Sequence, residues 1–227
     1  MKKKLNLRNV AKMIVACLAV AALFISCEKD DSGNGKLGGK QSPIGKEGNS
    51  FSFVGGVPGI SSAFGSVTAL DDGVSTVTVS VNITNSNYLN MLSNAFNTGI
   101  LTGGGITGTT VSGDLRYRFT DEGIQSICPD GTAHTAVKYN AKVGDVYTLK
   151  QGSRTIRREV TVVSKKDEFL WNNMKIKTIH VKETGRGVPG INYTENVYNH
   201  KFALVAVKFG FEDGTTQTLY LKSGVTN

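Results

Sequence analysis

Val74 to Thr84 reads Val-Ser-Thr-Val-Thr-Val-Ser-Val-Asn-Ile-Thr, and this stretch decides the fold class. The apolar residues Val77, Val79, Val81 and Ile83 stand at every second position, and Ser, Thr or Asn lies between them. Successive side chains of a β-strand point to opposite faces of a sheet, so this alternation buries one face and leaves the other in water. The stretch therefore predicts a half-buried strand with its four apolar side chains in the core.

Further strand patterns follow along the chain. Phe202 to Phe209 is apolar at every position except Lys208, which predicts a central strand buried on both faces. The turn residues Glu212-Asp213-Gly214 join it to a strand at 216–221, forming a hairpin. Shorter patterns predict strands at 115–119, 146–149 and 155–164. Gly, Ser, Thr and Asn are plentiful, whereas strong helix formers are sparse, so the composition also favours a mainly β fold.

One short helix is predicted between Asn85 and Thr98. The apolar residues there recur every three or four positions, which places them on one stripe of a helix. The stripe consists of Tyr88, Met91, Leu92, Ala95 and Phe96.

The C-terminal part of the chain resembles a known family. Tyr139-Asn140-Ala141-Lys142-Val143-Gly144-Asp145-Val146-Tyr147 is similar to the Tyr-x-x-Lys-Val-Gly-Asp-x-aromatic strand opening of the TapB-like extracytoplasmic domains. Leu204 to Phe209 takes the place of that family's Gly-Leu-Val-Lys strand, with Ala203 where the glycine usually stands. The resemblance covers roughly residues 136–222. It implies a curved antiparallel sheet, half-barrel or sandwich-like, and it implies no known activity.

The N-terminus has the features of a secretory signal. Five basic residues and no acid precede an uninterrupted apolar or small run from Met13 to Ile25. This run is too short to span a bilayer, which needs about 20 apolar residues, and it is typical of a signal peptide. The run ends at Ser26-Cys27, which resembles the lipobox of bacterial lipoproteins. The resemblance implies cleavage after Ser26 and attachment of lipid to Cys27, so residues 1–26 are predicted to be a lipoprotein signal peptide.

Cys17 offers an alternative cleavage site. Ile14-Val15-Ala16-Cys17 also resembles a lipobox, and its first residue fits the pattern better than Phe24 does. Cleavage there would leave an apolar core of only Met13 to Ala16, which is well below the usual length of about 7–15 residues. Cys27 is therefore the predicted lipidation site.

The residues after Cys27 indicate where the protein is displayed. Glu28, Lys29, Asp30 and Asp31 resemble the surface-export signal that follows the cysteine in surface lipoproteins of the Bacteroidota. The resemblance implies an outer-membrane lipoprotein that faces the outside, and the alternative is the periplasmic face. Residues 27–50 are rich in glycine and predict a flexible tether, which leaves a single β-rich domain at 51–227.

Charge and cysteine content narrow the classes of partner. The formal charge of +8 falls to +3 once the five basic residues of the signal peptide are removed, leaving 21 basic and 18 acidic residues. This value does not favour nucleic acid as a partner. With Cys17 discarded and Cys27 lipidated, Cys128 is predicted to be a buried apolar cysteine outside any disulfide.

No pattern for catalysis, metal or cofactor binding is evident. His134, His180 and His200 lack the spacing of metal ligands, and the Gly-rich segment at 99–113 lacks the lysine of a phosphate-binding loop. The acidic doublets stand mostly in turns, where Asp is common for backbone reasons. We therefore predict a protein that is not an enzyme and that has no metal or cofactor.

Two features are candidates for a ligand-facing surface. Arg154, Arg157 and Arg158 belong to the densest basic patch, and Trp171 is the only tryptophan. Their side chains suit contact with a glycan, an envelope protein or a lipid. The favoured alternatives are a solvated strand face for the arginines and a core or loop-covering position for Trp171. The predicted function is a membrane-anchored protein with a binding or envelope-structural role. The alternatives are a glycan-acting hydrolase, and a carrier of an apolar ligand in the concavity of a curved sheet.

Overall fold

The structure is a computed structural model, and it describes most of the chain after residue 34. The described residues are 35–54, 60–84, 86, 89, 104–128, 131–151, 154–185 and 191–224. Within them the chain is almost entirely strand, as predicted. The strands are β1 (Ser50–Val54), β2 (Ile60–Asp71), β3 (Val74–Ile83), β4 (Gly104–Thr107), β5 (Thr110–Thr120), β6 (Gly123–Ile127), β7 (Ala133–Lys138), β8 (Val146–Gln151), β9 (Arg154–Val163), β10 (Phe169–Trp171), β11 (Met174–Ile176), β12 (Ile179–Thr184), β13 (Ile191–Asn199), β14 (Ala203–Phe211) and β15 (Thr216–Gly224).

One antiparallel sheet contains all of these strands except β10 and β11, and it curls until it is nearly closed into a barrel. The predicted fold class, a curved antiparallel sheet, is therefore confirmed. The strand order is β7-β6-β5-β3-β2-β1-β15-β14-β13-β12-β9-β8, and β4 pairs with β5 beside this path. The first and last strands pair in the middle of the order. The two edge strands, β7 and β8, follow each other in the chain and contact each other. We call the line between these two edges the seam.

The alternation in β3 produces the interior of the sheet. Val77, Val79, Val81 and Ile83 are all buried, and they belong to a cluster that extends over both halves of the sheet. The polar residues between them are more exposed. Since each fully buried valine stabilises the fold by about 1.5–3 kcal/mol, this one strand contributes a large part of the apolar burial. The prediction for this stretch is confirmed.

Strand β14 is buried on both faces, as its unbroken apolar sequence predicts. One face carries Val207, Phe209 and Phe211, which pack with residues of β15 in the interior. The other face meets the hairpin of β10 and β11, whose Trp171 and Ile176 belong to one buried cluster with Ala206. The hairpin thus covers the outside of the sheet at β13 and β14. This cover explains why β14 has apolar residues on both of its faces.

The chain before β1 is packed and bonded, which corrects the predicted tether. Gln125 is fully buried, and its side chain accepts a hydrogen bond from the Leu37 amide at 2.8 Å and donates one to the Gly35 carbonyl at 2.9 Å. Ile44 is buried in the interior cluster, and Ser75 donates to the Gly45 carbonyl at 2.6 Å. A segment with these contacts is held on the sheet, so the packed domain begins by residue 35 instead of near Phe51.

Most of the predicted helix at 85–98 lies outside the described residues. Ser86 and Leu89 are helical, and Leu89 packs against the interior cluster. Among the described residues, no helix has the length and apolar character needed to cross a membrane.

Candidate binding face

Trp171 faces the fold, not solvent. It is 4% exposed, its ring stacks on Phe202 with centroids 4.5 Å apart, and its indole N–H donates to the Leu221 carbonyl at 2.6 Å. A ring held between a strand and a neighbouring aromatic side chain has no face left for a ligand. Trp171 therefore does not face a ligand. It has the core position that the sequence favoured over a ligand-facing one, and it fastens β10 to the sheet.

The basic patch of the sequence is divided between the two faces of β9. Arg158 points into the interior and is 7% exposed, whereas Arg157 points outwards and pairs with Glu159. Consecutive side chains of a strand must take opposite faces, so adjacent arginines cannot form one surface. The prediction of a joint ligand-facing patch is thus wrong for Arg158. Arg154 begins β9, and its side chain lies outside the described residues.

Arg158 makes a buried ion pair beside the seam. Its Nε donates to Glu183 Oε2 at 2.7 Å, and its Nη1 donates to the Thr135 carbonyl of β7 at 2.9 Å. Burial by itself lowers the pKa of Arg158. The negative charge of Glu183, the hydrogen bond to it and the nearby Tyr198 and Tyr117 hydroxyls together outweigh this effect and raise the pKa. Burial also raises the pKa of Tyr198 in the same interior, so its hydroxyl stays protonated. The guanidinium joins β9, β12 and β7, which lie on the two sides of the seam.

A row of alternating charges crosses the outer face of the sheet, away from the interior cluster. Glu159 stands opposite Lys182, Lys182 opposite Glu195, and Glu195 opposite Lys208. We call these four residues the charge ladder. Opposite charges facing each other across antiparallel strands contribute roughly 0.2–1 kcal/mol per pair. Each inner charge of the ladder has an opposite charge on both sides. Because the row consists of two acids and two lysines, it has no net charge.

His180 joins the ladder to the hydroxyl groups beside it. Its Nδ1 lies 3.6 Å from Glu195 Oε1, and its Nε2 lies 3.1 Å from the Thr178 hydroxyl. Thr161 also donates to Glu195 Oε1, at 3.2 Å. The His180 ring beside it, with help from Thr161 and the nearby Lys208 charge, holds the pKa of Glu195 below its usual value despite partial burial. Glu195 is therefore charged at neutral pH and is the central acceptor of the outer face.

Aromatic rings border the ladder on both sides along the strands. On one side the Tyr193 ring lies directly over Gly210, where an added Cβ would stand 2.1 Å from the ring, and Lys182 Nζ lies 4.3 Å from the ring centroid. On the other side Tyr220 is 42% exposed, and its ring centroid is 6.4 Å from that of Phe169. Paired charges between aromatic rings can bind a ligand that has both hydrogen-bonding groups and apolar faces.

The order of groups around His180 is that of a hydroxyl, a histidine and a carboxylate, as in nucleophilic hydrolases. Thr178 is only 2% exposed, and its hydroxyl also lies 3.2 Å from the hydroxyl of Ser164. A nucleophile must reach the substrate, and a hydroxyl at this depth is closed to one that arrives from solvent. In the part of the chain that is described, no group of three or more His, Cys, Asp or Glu side chains is arranged to hold a metal ion.

Cys128 is buried, as predicted, but it is disulfide-bonded in the structure. The prediction of a cysteine outside any disulfide applies to the mature chain, from which Cys17 is removed and in which Cys27 carries lipid. Cys17 and Cys27 lie outside the described residues. The predicted export signal at Glu28 to Asp31 lies outside them too.

No family model, curated protein or solved structure matches this chain.

The members of the outer face were not visible as a group in the sequence. Glu159, Lys182, Glu195 and Lys208 are far apart in the chain and meet only through strand register. Lys208 is the one charged residue in the otherwise apolar strand β14, and this was one local signal. Gly210 gave a second signal, since a glycine inside a strand often marks a close approach of another group.

Proposed function

We propose that the mature protein is a lipoprotein, anchored through Cys27 in the outer membrane and displayed on its outer surface, with a binding or envelope-structural role. The observation that carries the anchor is the position of Cys27, directly after a basic start and a short apolar run. Two or more acyl chains hold a protein firmly at a membrane, at roughly 0.8 kcal/mol per buried methylene. The partner of the outer face is a glycan, another envelope protein or a lipid.

The outer face supports the binding role. It combines a neutral charge ladder, the exposed Tyr220 and the ordered Tyr193 on strands whose other side is buried in the interior of the sheet. A rigid sheet with preformed donors and acceptors loses little entropy when it binds a ligand. The hydroxyl of Thr178 beside His180 is buried, so the outer face favours binding over hydrolysis.

The Cys27→Ala substitution is expected to abolish incorporation of an alkyne-labelled fatty acid in cells, because the acyl chains attach through this residue. Cys17→Ala is the matched control and should keep the label, since Cys17 lies in the discarded signal peptide. Labelling is detected on the purified protein after denaturation.

Lipidation of Cys27 and a disulfide at the same sulfur exclude each other. The intact mass of the mature protein, measured without reduction, separates these two states. A mature chain that retains a Cys27–Cys128 disulfide, or label that persists in Cys27→Ala, would contradict the anchor. Digestion of the domain by protease added to intact cells supports the outer surface, and full protection contradicts it.

Photocrosslinking tests the binding role. Benzoylphenylalanine in place of Tyr220 is expected to give discrete crosslinked species in intact cells, because this side chain borders the outer face. The control carries the same residue in place of Phe64, an exposed aromatic residue on β2. Identical species from both positions, or none from Tyr220, would contradict a ligand at this face.

A further inference from the structure

The packed N-terminal segment and the hairpin of β10 and β11 lie at the same end of the sheet. Every pairing on the path from β5 to β9 is antiparallel, and eight steps separate the two strands, so they run in the same direction. Thr120 ends β5 and Val163 ends β9. The Ser42 amide donates to the Phe119 carbonyl, and the Lys40 amide donates to Asp121, which places the chain that leads to Cys27 at this end.

The hairpin presents apolar side chains at this end on a rigid support. Asn172 and Asn173 both have positive φ values, 47° and 63°, as a tight two-residue hairpin turn requires. Trp171 fastens the hairpin to β15. Leu170 is 65% exposed and stands opposite Lys175 in the hairpin register. An apolar side chain so exposed, on a hairpin that cannot bend away, is available to another surface.

Lysines surround this apolar tip. Lys201 belongs to the same group, because its Nζ lies 5.5 Å from the Phe202 ring that stacks on Trp171. Lys177 is adjacent to it, since the Lys177 carbonyl accepts a hydrogen bond from Asn199. The five exposed lysines are Lys165, Lys166, Lys175, Lys177 and Lys201. Residues 165–177 contain four of these lysines and only two acids, Asp167 and Glu168, so positive charge is in excess within this segment.

We propose that Leu170 and these five lysines, the tether-end patch, form a second membrane contact that binds an anionic lipid surface. The proposal rests on the lipid anchor at Cys27, which brings this end of the sheet to the bilayer. Near an anionic membrane each lysine contributes about 1 kcal/mol of attraction, and an apolar side chain inserts at the headgroup boundary. The patch then fixes the orientation of the domain, so that the opposite end of the sheet points away from the membrane.

Lysine acetylation of the mature, lipidated protein on vesicles tests this contact. The vesicles consist of phosphatidylcholine alone, or of phosphatidylcholine and phosphatidylglycerol in equal parts. Acetylation of the five patch lysines, measured by mass spectrometry, is expected to slow about fivefold on the anionic vesicles, the factor that corresponds to about 1 kcal/mol. Lys150 is exposed near the C-terminal end of β8, at the end of the sheet opposite to the patch. It is the internal control and should be acetylated at the same rate on both kinds of vesicle.

The Leu170→Ser variant is expected to lose part of this protection, whereas Phe64→Ser, at an exposed site on β2, should keep it. Equal acetylation of the patch on both kinds of vesicle, or an equal slowing at Lys150, would overturn the proposal. Flotation of the vesicles reports the anchor separately. If the protein floats with both kinds of vesicle but its patch lysines are not protected from acetylation, the proposed patch is overturned and the anchor is not. Flotation with the anionic vesicles alone supports the patch and overturns the anchor. If the protein floats with neither kind of vesicle, the patch and the anchor are both overturned.

Discussion

Replacing Arg158 with alanine is expected to lower the free energy of unfolding by about 3–5 kcal/mol, because the buried Glu183 carboxylate loses the positive charge and the hydrogen bond of the guanidinium. The same change removes the hydrogen bond to the Thr135 carbonyl, which joins β9 to β7 across the seam. Urea unfolding followed by circular dichroism measures the difference. Total stability of a domain is only about 5–15 kcal/mol, so a loss of this size affects the folded population strongly.

Arg157→Ala is the matched control on the same strand. Its side chain points to solvent and pairs with Glu159, and exposed pairs contribute about 0–1 kcal/mol. A double variant, Arg158→Met with Glu183→Leu, should cost less than the sum of the two single changes, because it removes both buried charges together. If Arg158→Ala does not fold, Glu183→Gln gives a milder test. Similar losses for Arg157→Ala and Arg158→Ala would refute the role of the buried pair.

The second large effect is expected at Trp171. Trp171→Ala should lower the free energy of unfolding by about 3–5 kcal/mol, since it empties the space between the hairpin and β14. For a chain of this size the loss corresponds to a fall in Tm of roughly 6–20 °C. Trp171→Phe keeps most of the packing but loses the hydrogen bond to the Leu221 carbonyl, so its effect should lie in between.

Leu170→Ala is the control for Trp171, because it changes the adjacent and largely exposed residue of the same hairpin. Its effect on Tm should be small, as it is for most surface substitutions. The measurement must use circular dichroism, since Trp171→Ala removes the only tryptophan. A Trp171→Ala variant as stable as Leu170→Ala would show that the hairpin contributes nothing to the fold.

Patterns within single strands were predicted well. The alternation of Val77 to Ile83 and the unbroken apolar run of β14 both describe burial correctly, because each depends on residues close together in the chain. Residues 35–50 were predicted poorly. Their composition is that of a flexible linker, yet Gln125, distant in sequence, provides the hydrogen bonds that hold them.

Site residues were predicted least well, because chemical type does not reveal the face on which a side chain lies. Trp171 suits a ligand by its chemistry, but the hairpin turns it onto β15. Arg157 and Arg158 are adjacent in sequence and opposite in orientation. Glu195 drew no attention in the sequence, although it contacts His180 and Thr161 and lies beside Lys208.

By itself, the sequence determined that the chain folds as a mainly β protein, and which residues of β3 and β14 form its core. It also carries the whole case for an anchor at Cys27, because a signal peptide and its cleavage site are local patterns. Only the tertiary structure decided the charge ladder, the seam closed by Arg158, and the location of the hairpin at the same end as the packed N-terminal segment. These depend on strand register and direction, which arise from pairing between distant segments and cannot be obtained from local periodicity.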